Sequence, residues 1–439
     1  MLSDKLLLKI FSLAGAAFIS VCLARLFYLQ VLNYDFYDKL VTAQSTARIS
    51  FSKDRGLILD RTGKNLAINR KMASLYLFGK NIDDADGLIK SLKANGIIIA
   101  SATEKRIQEK SNFVWIERRL PIDEAERIKE AVAGINFVLE DARLYPEKGM
   151  LAGIIGITGT DNQGLSGIEY YKEKTLKGKV IPANIIRDSR DKLIIFDDTP
   201  LRTEPDSKVY LTVDIELQAT VDRLLAQDML EYKAKRAIAL AMDIKTGEIV
   251  VYSGLSADKE EADKNFMSTF LFEPGSIFKG ISFGYLIEKG LYRAGEKINT
   301  SSAVDLYGHK IKDVYLYNSL TQQDIFAKSS NIGTVQLTRN VGSEAFYKFL
   351  SHSGFGVKTG IEGVSEETGI LREPKNWSGL SLASLSIGQE VMVTPLQIVR
   401  YYAAIGNGGA AVKPRIVGKY TGNGQKYIPK TESEQIMSA

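Results

Sequence analysis

Cysteine and histidine are scarce in this chain. Its 439 residues include one cysteine, Cys22, and two histidines, His309 and His352. A single cysteine permits no intramolecular disulfide and no cysteine-based metal site, and two histidines far apart in the sequence offer little to a catalytic triad or a metal cluster. We therefore predict neither a metal nor a cofactor. If the chain performs hydrolase or transferase chemistry, its general base is a residue other than histidine.

A concentration of charge of one sign is also missing. Lys and Arg number 57 and Asp and Glu number 52, which leaves a net charge of +5, and no basic run is interleaved with aromatic residues. Such a distribution lacks the footprint of nucleic-acid binding, so we expect no nucleic-acid partner. Apolar residues make up 45% of the chain, enough for full cores, and the length predicts two or three domains.

The N-terminus carries the apolar segment of a membrane anchor. Lys5 and Lys9 precede fifteen uncharged residues, 10–24, and apolar character resumes after Arg25. With Lys9 and Arg25 reaching towards the two interfaces, residues 6–29 are long enough to span a bilayer. A cleaved signal peptide is the alternative, although no small-x-small cleavage site follows the segment. We predict an uncleaved signal anchor, with the N-terminal tail inside and the body of the chain outside.

The stretch with catalytic character is residues 272–280, FEPGSIFKG. A Pro-Gly pair breaks the preceding structure, and helical apolar spacing begins at Ser276 and stops at Gly290. Lys279 lies one helical turn after Ser276, so its amine can reach the serine hydroxyl. A hydroxyl becomes nucleophilic when a neighbour takes its proton, and a lysine can do so when burial keeps part of it neutral. Ser276 and Lys279 are therefore a candidate nucleophile and general base.

The spelling S-x-x-K is not specific by itself, because it also begins at Ser50, Ser189 and Ser256. Only Ser276 follows a Pro-Gly breaker, opens an apolar helix and is followed at a suitable distance by S-S-N at 329–331. The pairing of S-x-x-K with a later S-x-N resembles the penicillin-binding proteins and serine β-lactamases, whose third motif is K-T-G. The fuller string E-P-G-S-x-x-K with S-S-N looks like the class B penicillin-binding proteins, most like the division-specific type.

Further segments carry the same resemblance. Residues 55–67, RGLILDRTGKNLA, have the strand, turn and strand pattern of a β-hairpin and look like the opening of the class B pedestal domain. R-L-Y-P at 143–146 and the glycines of 153–156 and 164–169 resemble a second pedestal segment. No P-loop lysine follows these glycines, so they predict turns and not a phosphate loop. Glu169 is predicted to be a structural ion-pair partner.

Hydrophobic periodicity and turn residues predict the elements around these motifs. Helices are predicted over 33–47, 84–94, 121–134, 215–230 with Asp214 as N-cap, 276–289 and 395–404. Strands are predicted over 113–116, 135–139, 237–243 and 248–252, the last two as a hairpin. A polar stretch at 187–208 is the predicted domain boundary.

The family's third motif, K-T-G, is spelled twice, at 245–247 and 358–360. The first copy precedes Ser276, in the turn of the predicted hairpin, and the second belongs to a G-F-G-x-K-T-G-I turn soon after Asn331. In relatives the functional copy lies on a later strand, so we predict that neither copy is functional. Segments such as S-I-G-Q at 386–389 resemble the run that precedes that strand.

The resemblance also implies that the chain stops before the K-T-G strand. It would then lack three strands of the usual sheet, the terminal helix and one amide of the oxyanion hole. We accordingly expect this form to have little transpeptidase activity.

The resemblance implies roles for four residues. Ser276 is similar to the acyl-accepting nucleophile, Lys279 to its general base, Ser329 to the proton shuttle to the leaving amine, and Asn331 to the group that hydrogen-bonds the substrate's peptide amide. The backbone N–H of Ser276 would be one oxyanion donor. The implied reaction is attack on a stem peptide ending in D-Ala-D-Ala, release of D-Ala, and capture of the acyl-enzyme by an amine of a neighbouring strand. β-Lactams would acylate the same serine.

The implied fold class is a multidomain α+β protein. Residues 1–32 would form the cytoplasmic tail and membrane helix, and 33–205 an elongated α+β pedestal of the penicillin-binding protein dimerisation type. Residues 206–439 would form an incomplete penicillin-binding/β-lactamase-like transpeptidase domain, an antiparallel sheet flanked by helices without its C-terminal strands.

The implied function is septal peptidoglycan cross-linking, at the inner (cytoplasmic) membrane with the catalytic domain on the periplasmic side. The expected partners are D-Ala-D-Ala stem peptides, β-lactams, the membrane, a membrane-embedded lipid II polymerase and other division proteins. The alternatives are a non-catalytic division scaffold, an elongation-type transpeptidase and a β-lactam sensor. The four intact site residues favour an enzyme over a scaffold, and Glu273 favours the division type. The absence of G-x-S-x-G around Ser276 disfavours an α/β-hydrolase.

Overall fold

The computed structural model describes residues 4–37, 39, 46–52, 54–79, 82–147, 149–178, 180–187, 193–194, 205–258, 261, 265–422 and 424–439. The chain divides into two compact units, Met1–Lys53 with Gly178–Glu204, and Asp54–Lys177 with Pro205–Ala439. Most of the predicted domain boundary, 187–208, lies outside the described residues. The bounds 1–32, 33–205 and 206–439 therefore stay a prediction.

The first unit contains the apolar N-terminal helix. An α-helix over Asp4–Phe27 continues as a π-helical turn over Tyr28–Leu32. The segment Ile10–Leu32 has a mean hydropathy of 2.0 and none of it is buried, so it is long and apolar enough to cross a membrane by length and composition. The same test is passed by a signal sequence, the alternative left open above.

The first unit also contains a small antiparallel sheet of three strands, β1 Thr46–Ser52, β6 Val180–Arg187 and β7 Leu193–Ile194. Thr46 and Ala47 pair with Ile186 and Ile185. The predicted helix over 33–47 is therefore wrong at its end, because strand pairing with a distant segment overrides the local amphipathic pattern there.

The second unit is built on a seven-stranded sheet. Its strands run in the order β17-β16-β8-β2-β3-β4, with β5 also pairing β3, and β2–β8 is the one parallel pair among these strands. The strands are β2 Leu57–Leu59, β3 Asn65–Leu77, β4 Val114–Leu120, β5 Asn136–Leu144, β8 Lys208–Leu211, β16 Val417–Gly422 and β17 Gln425–Tyr427. The predicted hairpin at 55–67 and the strands at 113–116 and 135–139 are confirmed.

Helices pack on the first part of this sheet. They span Ala85–Ala94, Ser101–Gln108, Ile122–Ala131, Ala152–Ile155, Gly167–Tyr171 and Glu173–Leu176. Asp84 caps the first of them by accepting a hydrogen bond from the backbone of Gly87 at 2.9 Å. The predicted helices over 84–94 and 121–134 are thus confirmed, the second ending three residues early at Ala131.

A buried ion pair network ties the pedestal segments together. Glu169 Oε2 accepts from Arg55 Nε at 2.7 Å, and its Oε1 accepts from Arg143 Nε at 2.6 Å. Glu173 Oε2 lies 2.7 Å from Arg55 Nη1. The prediction that Glu169 is a structural ion-pair partner is confirmed.

The second part of the unit holds the predicted hairpin and most of the helices. The hairpin pairs β9 Arg236–Met242 with β10 Ile249–Ser256, and Asp214 caps the helix Ile215–Glu231 by accepting from Glu216 N and Leu217 N. The other helices are Phe266–Thr269, Lys279–Glu288, Gln322–Ala327, Asn331–Thr338, Ser343–His352, Ser381–Ser386 and Pro395–Gly406, with 3₁₀ turns at Gly275–Phe278 and Pro374–Asn376. Three short antiparallel pairs complete it, β11 Lys297–Asn299 with β14 Ser319–Thr321, β12 Val304–Leu306 with β13 His309–Ile311, and β15 Ala410–Val412 with β18 Ser433–Gln435.

One buried cluster supports the stretch predicted to be catalytic. Phe278 and Ile281 pack with residues of three later helices and loops, including Phe346, Phe355 and Tyr401, all fully or almost fully buried. Because this core lies directly beneath the 272–280 stretch, the position of that stretch is set by packing over a long range of sequence.

Candidate active site

Ser276 lies in a tight turn ahead of a buried helix. Gly275–Phe278 forms a 3₁₀ turn, and the α-helix Lys279–Glu288 follows directly. The regular α-helix begins three residues later than predicted, because the first predicted residues form the 3₁₀ turn instead. It ends at Glu288, one residue before the predicted end, and Gly290 just beyond it has a left-handed φ of +63° that stops the helix. Ser276 is exposed, and the described part of the chain offers its Oγ no hydrogen-bond partner.

Lys279 points its amine into a buried polar turn. The residue is 2% exposed. Its Nζ donates to the carbonyl oxygen of Ser329 at 2.6 Å, to Ser329 Oγ at 3.0 Å and to Asn331 Oδ1 at 2.6 Å. The predicted contact with the Ser276 hydroxyl is not among the hydrogen bonds of the described residues. The amine instead links the S-x-x-K motif to the S-x-N motif, because Ser329 and Asn331 supply acceptors for all three of its N–H groups.

Burial lowers the pKa of Lys279 to about 8, and the negative charge of Asp313 works against that fall. Removing an ammonium from water disfavours its charged form. At pH 7 about a tenth of this amine is neutral, far more than for an exposed lysine. The side chain therefore has the protonation behaviour that a general base at neutral pH requires.

The S-S-N turn has a strained backbone. Ser329 has a φ of +54°, a conformation that non-glycine residues rarely adopt and that recurs at functional sites. Ser330 N donates to the carbonyl oxygen of Ile325 at 2.9 Å, and Ser330 Oγ accepts from Gly333 N at 2.9 Å to cap the helix Asn331–Thr338. These bonds on both sides hold Ser329 so that its carbonyl oxygen and hydroxyl both contact the Lys279 amine.

Three residues to which the sequence analysis assigns no part in the site hold the turn that contains Ser276. Gly388 accepts a backbone hydrogen bond from Gly275 N at 2.9 Å through its carbonyl oxygen. Glu273 Oε1 accepts from the backbone of the next loop at 2.9 Å, and Tyr402 Oη donates to the carbonyl oxygen of Ile277 at 2.6 Å. Gly388 belongs to the S-I-G-Q segment, and the resemblance of that segment to the family was the sequence signal that could have pointed to this contact.

Among the residues that the structure describes, no three His, Cys, Asp or Glu side chains lie together in a way that could hold a metal ion.

Two family models match most of this chain. The penicillin-binding protein transpeptidase domain matches residues 237–439, and the penicillin-binding protein dimerisation domain matches residues 52–195. The peptidoglycan D,D-transpeptidase FtsI of Escherichia coli K12 is 32% identical over 404 residues, which are 88% of this chain and 68% of that protein. The chain belongs to the class B penicillin-binding proteins.

Other relatives agree with this assignment. Stage V sporulation protein D of Bacillus subtilis is 28% identical over 436 residues, which are 93% of this penicillin-binding protein and 66% of the relative. The crystal structure of penicillin-binding protein 3 from Mycobacterium tuberculosis, complexed with aztreonam, matches with a TM-score of 0.63 at 24% identity, covering 89% of this chain and 72% of that chain. The family, the two-domain fold with an N-terminal apolar helix, and the class of serine-type transpeptidase are thus confirmed.

Neither K-T-G copy of this penicillin-binding protein lies in a strand or a helix, since the first is in the β9–β10 turn and the second in an irregular segment. Asp243 Oδ1 accepts from the backbones of Lys245 and Thr246 at 3.0 and 2.8 Å, which closes the β9–β10 turn. Glu366 Oε1 accepts from Thr359 N at 2.6 Å in the second copy. Lys358 lines a cavity of about 580 Å³ whose lining includes none of the four predicted site residues. The described positions of both copies are consistent with the prediction that neither is functional.

Replacing Lys279 by arginine is expected to slow acylation by a fluorescent penicillin by about 10²–10⁴-fold. In the native protein the rate should rise with pH through about 8, because the neutral amine, which is the predicted base, accumulates above its pKa. In Lys279→Arg this rise should vanish, since a guanidinium keeps its proton. Acylation rates measured from pH 6 to 10 test this, with the exposed Lys289→Arg at the end of the same helix as control. A Lys279→Arg variant with an unchanged pH profile would exclude this base.

Gly388→Ala is expected to impair acylation by displacing the nucleophile turn. A Cβ at Gly388 would lie 2.1 Å from the carbonyl oxygen of Gly275 and 2.7 Å from Phe278 Cβ, and φ is +79°. The turn must move, and a displacement near 1 Å costs on the order of 10²-fold in rate. Gly290→Ala is the matched control, with φ +63° but no atom within 4 Å. Equal acylation rates in the two folded variants would contradict this account.

Proposed function

We propose that this protein is a peptidoglycan D,D-transpeptidase that cross-links stem peptides during septal wall synthesis. The observation that carries the proposal is the buried Lys279 amine, whose pKa is lowered and which donates hydrogen bonds to Ser329 and Asn331. Lys279 lies three residues after the exposed Ser276. A nucleophile, a partly neutral base and a proton relay are the groups that acyl transfer without histidine requires.

The four residues take successive parts in this proposed reaction. Neutral Lys279 accepts the proton of Ser276 Oγ as that oxygen attacks the carbonyl carbon between the two terminal D-alanines. Ser329 Oγ, 3.0 Å from the Lys279 amine, donates its proton to the nitrogen of the departing D-Ala and takes in return the proton that Lys279 received, so that Lys279 is neutral again. Asn331 hydrogen-bonds the peptide amide of the stem. The backbone N–H of Ser276 binds the oxyanion.

In the second half of the reaction, an amine from a neighbouring stem peptide attacks the acyl-enzyme. Lys279 takes a proton from that amine, and Ser276 Oγ leaves with a proton returned to it. The net change is one peptide bond exchanged for another. β-Lactams would acylate Ser276 in the first step.

The proposed setting is the outer face of the cytoplasmic membrane. The basic residues ahead of the apolar helix support an N-terminal tail inside and the catalytic unit on the periplasmic side. The proposed partners are D-Ala-D-Ala stem peptides, a membrane-embedded lipid II polymerase and other division proteins. The FtsI relative is named as a D,D-transpeptidase, which supports the substrate class.

The substrate is tested with the full chain in detergent. Release of D-alanine from a synthetic pentapeptide ending in D-Ala-D-Ala is expected to depend on Ser276 and to fall in Asn331→Ala. Release that persists in Ser276→Ala would contradict the assignment. A folded native chain without release or penicillin labelling would favour either the form of low activity expected from the sequence or the non-catalytic scaffold.

The septal role is tested in the cell. Depletion of the protein is expected to give filaments that elongate without dividing, because only septal cross-linking would stop. Rounded cells after depletion would instead indicate the elongation-type alternative. Complementation by the native gene but not by Ser276→Ala would tie the phenotype to catalysis.

A further inference from the structure

Asp313 lies beside the S-S-N turn in the segment that links β13 to β14. Its Oδ2 accepts a hydrogen bond from Ser330 Oγ at 2.6 Å, and its Oδ1 accepts from Ile332 N at 2.9 Å. The preceding residue, Lys312, accepts from Asn331 Nδ2 at 3.0 Å through its carbonyl oxygen. Two consecutive residues of this segment therefore bond to three consecutive residues of the turn and its helix.

These bonds fix the groups that contact Lys279. Ser330 separates Ser329 from Asn331, and each of these two neighbours supplies an acceptor for the Lys279 amine. The left-handed φ of Ser329 is strained, so it persists only where the surrounding contacts over-determine it. A carboxylate that accepts a backbone N–H of the first helical turn is also stabilised by the helix dipole. Asp313 is thus held in a fixed place beside the turn.

The charge of Asp313 also acts on Lys279 through space. It raises the pKa of the Lys279 amine, against the larger lowering by burial. The other charged side chains of the neighbouring segments include Lys312, Lys328, Asp324 and Glu273. Lys328 lies over an aromatic ring, and Glu273 accepts a backbone hydrogen bond from another loop. Of these groups, Asp313 is the one whose charge acts on Lys279 in the described structure.

We propose that Asp313 is a positioning residue for the acyl-transfer site, which fixes the 329–331 turn that supplies the acceptors of the Lys279 amine and whose negative charge acts on that amine. The proposal rests on the proposed function, in which Lys279 is the base. The proposal gives the segment 312–318 a role in the reaction, although this segment belongs to neither the S-x-x-K motif nor the S-x-N motif. Asp313 contacts neither reacting atom and acts through Ser330, the turn and the amine.

The test compares Asp313→Asn and Asp313→Glu with the native chain. Asparagine keeps the size of the side chain and removes the charge, so the midpoint of the rise in acylation rate is expected to fall by roughly one pH unit. The plateau rate is expected to fall about tenfold as the turn loosens. Glutamate keeps the charge, so the midpoint should stay near the native value while the plateau falls. The control is Asp305→Asn, at an exposed aspartate of β12 whose side chain accepts from Gly308 N within its own turn.

A second measurement reads Lys279 without any acylation. Lysine labelled with ¹³C at Cε gives an NMR titration curve for each amine, and Lys279→Arg identifies the signal of Lys279. The titration midpoint of Lys279 is expected to fall in Asp313→Asn and to stay in Asp305→Asn and Asp313→Glu. An unchanged midpoint in a folded Asp313→Asn would overturn the proposal and leave Asp313 a purely structural residue. Failure of the native chain to be acylated would instead contradict the proposed function. The titration would still show whether the charge of Asp313 acts on the Lys279 amine.

Discussion

Replacement of Ser276 by alanine is expected to abolish covalent labelling of this penicillin-binding protein by a fluorescent penicillin. Ser276 is exposed, precedes the buried Lys279 by one turn, and lies where the helix N-terminus favours negative charge. A strained lactam ring makes acylation a sensitive probe of the nucleophile and its base. Loss of an activated nucleophile removes the covalent route entirely, so the residual labelling should be below detection.

Gel fluorescence and peptide mass spectrometry check this expectation. The adduct should map to the peptide that contains Ser276 in the native chain. Ser302→Ala, at an exposed serine in a connecting segment, should label as the native chain does, and Ser329→Ala should label more slowly. An adduct on another serine, or labelling retained by Ser276→Ala, would show that S-x-x-K at this position is not the nucleophile.

Replacement of Glu169 by alanine is expected to lower the free energy of unfolding by about 3–5 kcal/mol. Its carboxylate accepts from Arg55 at 2.7 Å and from Arg143 at 2.6 Å, and all three side chains are at most 2% exposed. The variant would leave two guanidinium groups close together in the interior without their shared anion. Repulsion between them adds to the loss of the bonds, which is why this change should exceed that of an ordinary ion pair.

Urea denaturation followed by tryptophan fluorescence and circular dichroism measures this effect. Glu216→Gln is the matched control, because Glu216 pairs with Lys64 on the surface, where both side chains are largely exposed. Surface pairs contribute little, so the control should leave the transition where it is. A Glu169→Ala transition that coincides with the control would show that the network is not needed for the stability of the pedestal segments.

The elements with strong local signals were predictable. The β-hairpin at residues 55–67 follows from alternating apolar residues around a Thr-Gly-Lys turn, and Asp214 caps its helix because its side chain accepts local backbone N–H groups. The same kind of local signal predicted the β9–β10 turn. It failed near Thr46, where the pairing partner comes from residues 180–187, far along the chain. Local patterns do not contain that partner.

The candidate site likewise has features that the sequence predicts and features that it does not. The sequence by itself determined which residue types are available, that Ser276 and Lys279 lie one turn apart, and that Ser329 and Asn331 form the matching motif. These follow from spacing and from the family resemblance. The sequence also showed that this chain has few histidines and cysteines that could support catalysis or metal binding.

Only the tertiary structure decided where the Lys279 amine points and how far its pKa falls. Its acceptors lie 50 and 52 positions along the chain, and the burial that lowers its pKa comes from packing of several distant elements. The contacts of Gly388 and Asp313 are likewise long-range. Hydrogen bonds and desolvation depend on what surrounds a group in space, whereas a motif records only what is adjacent to it along the chain.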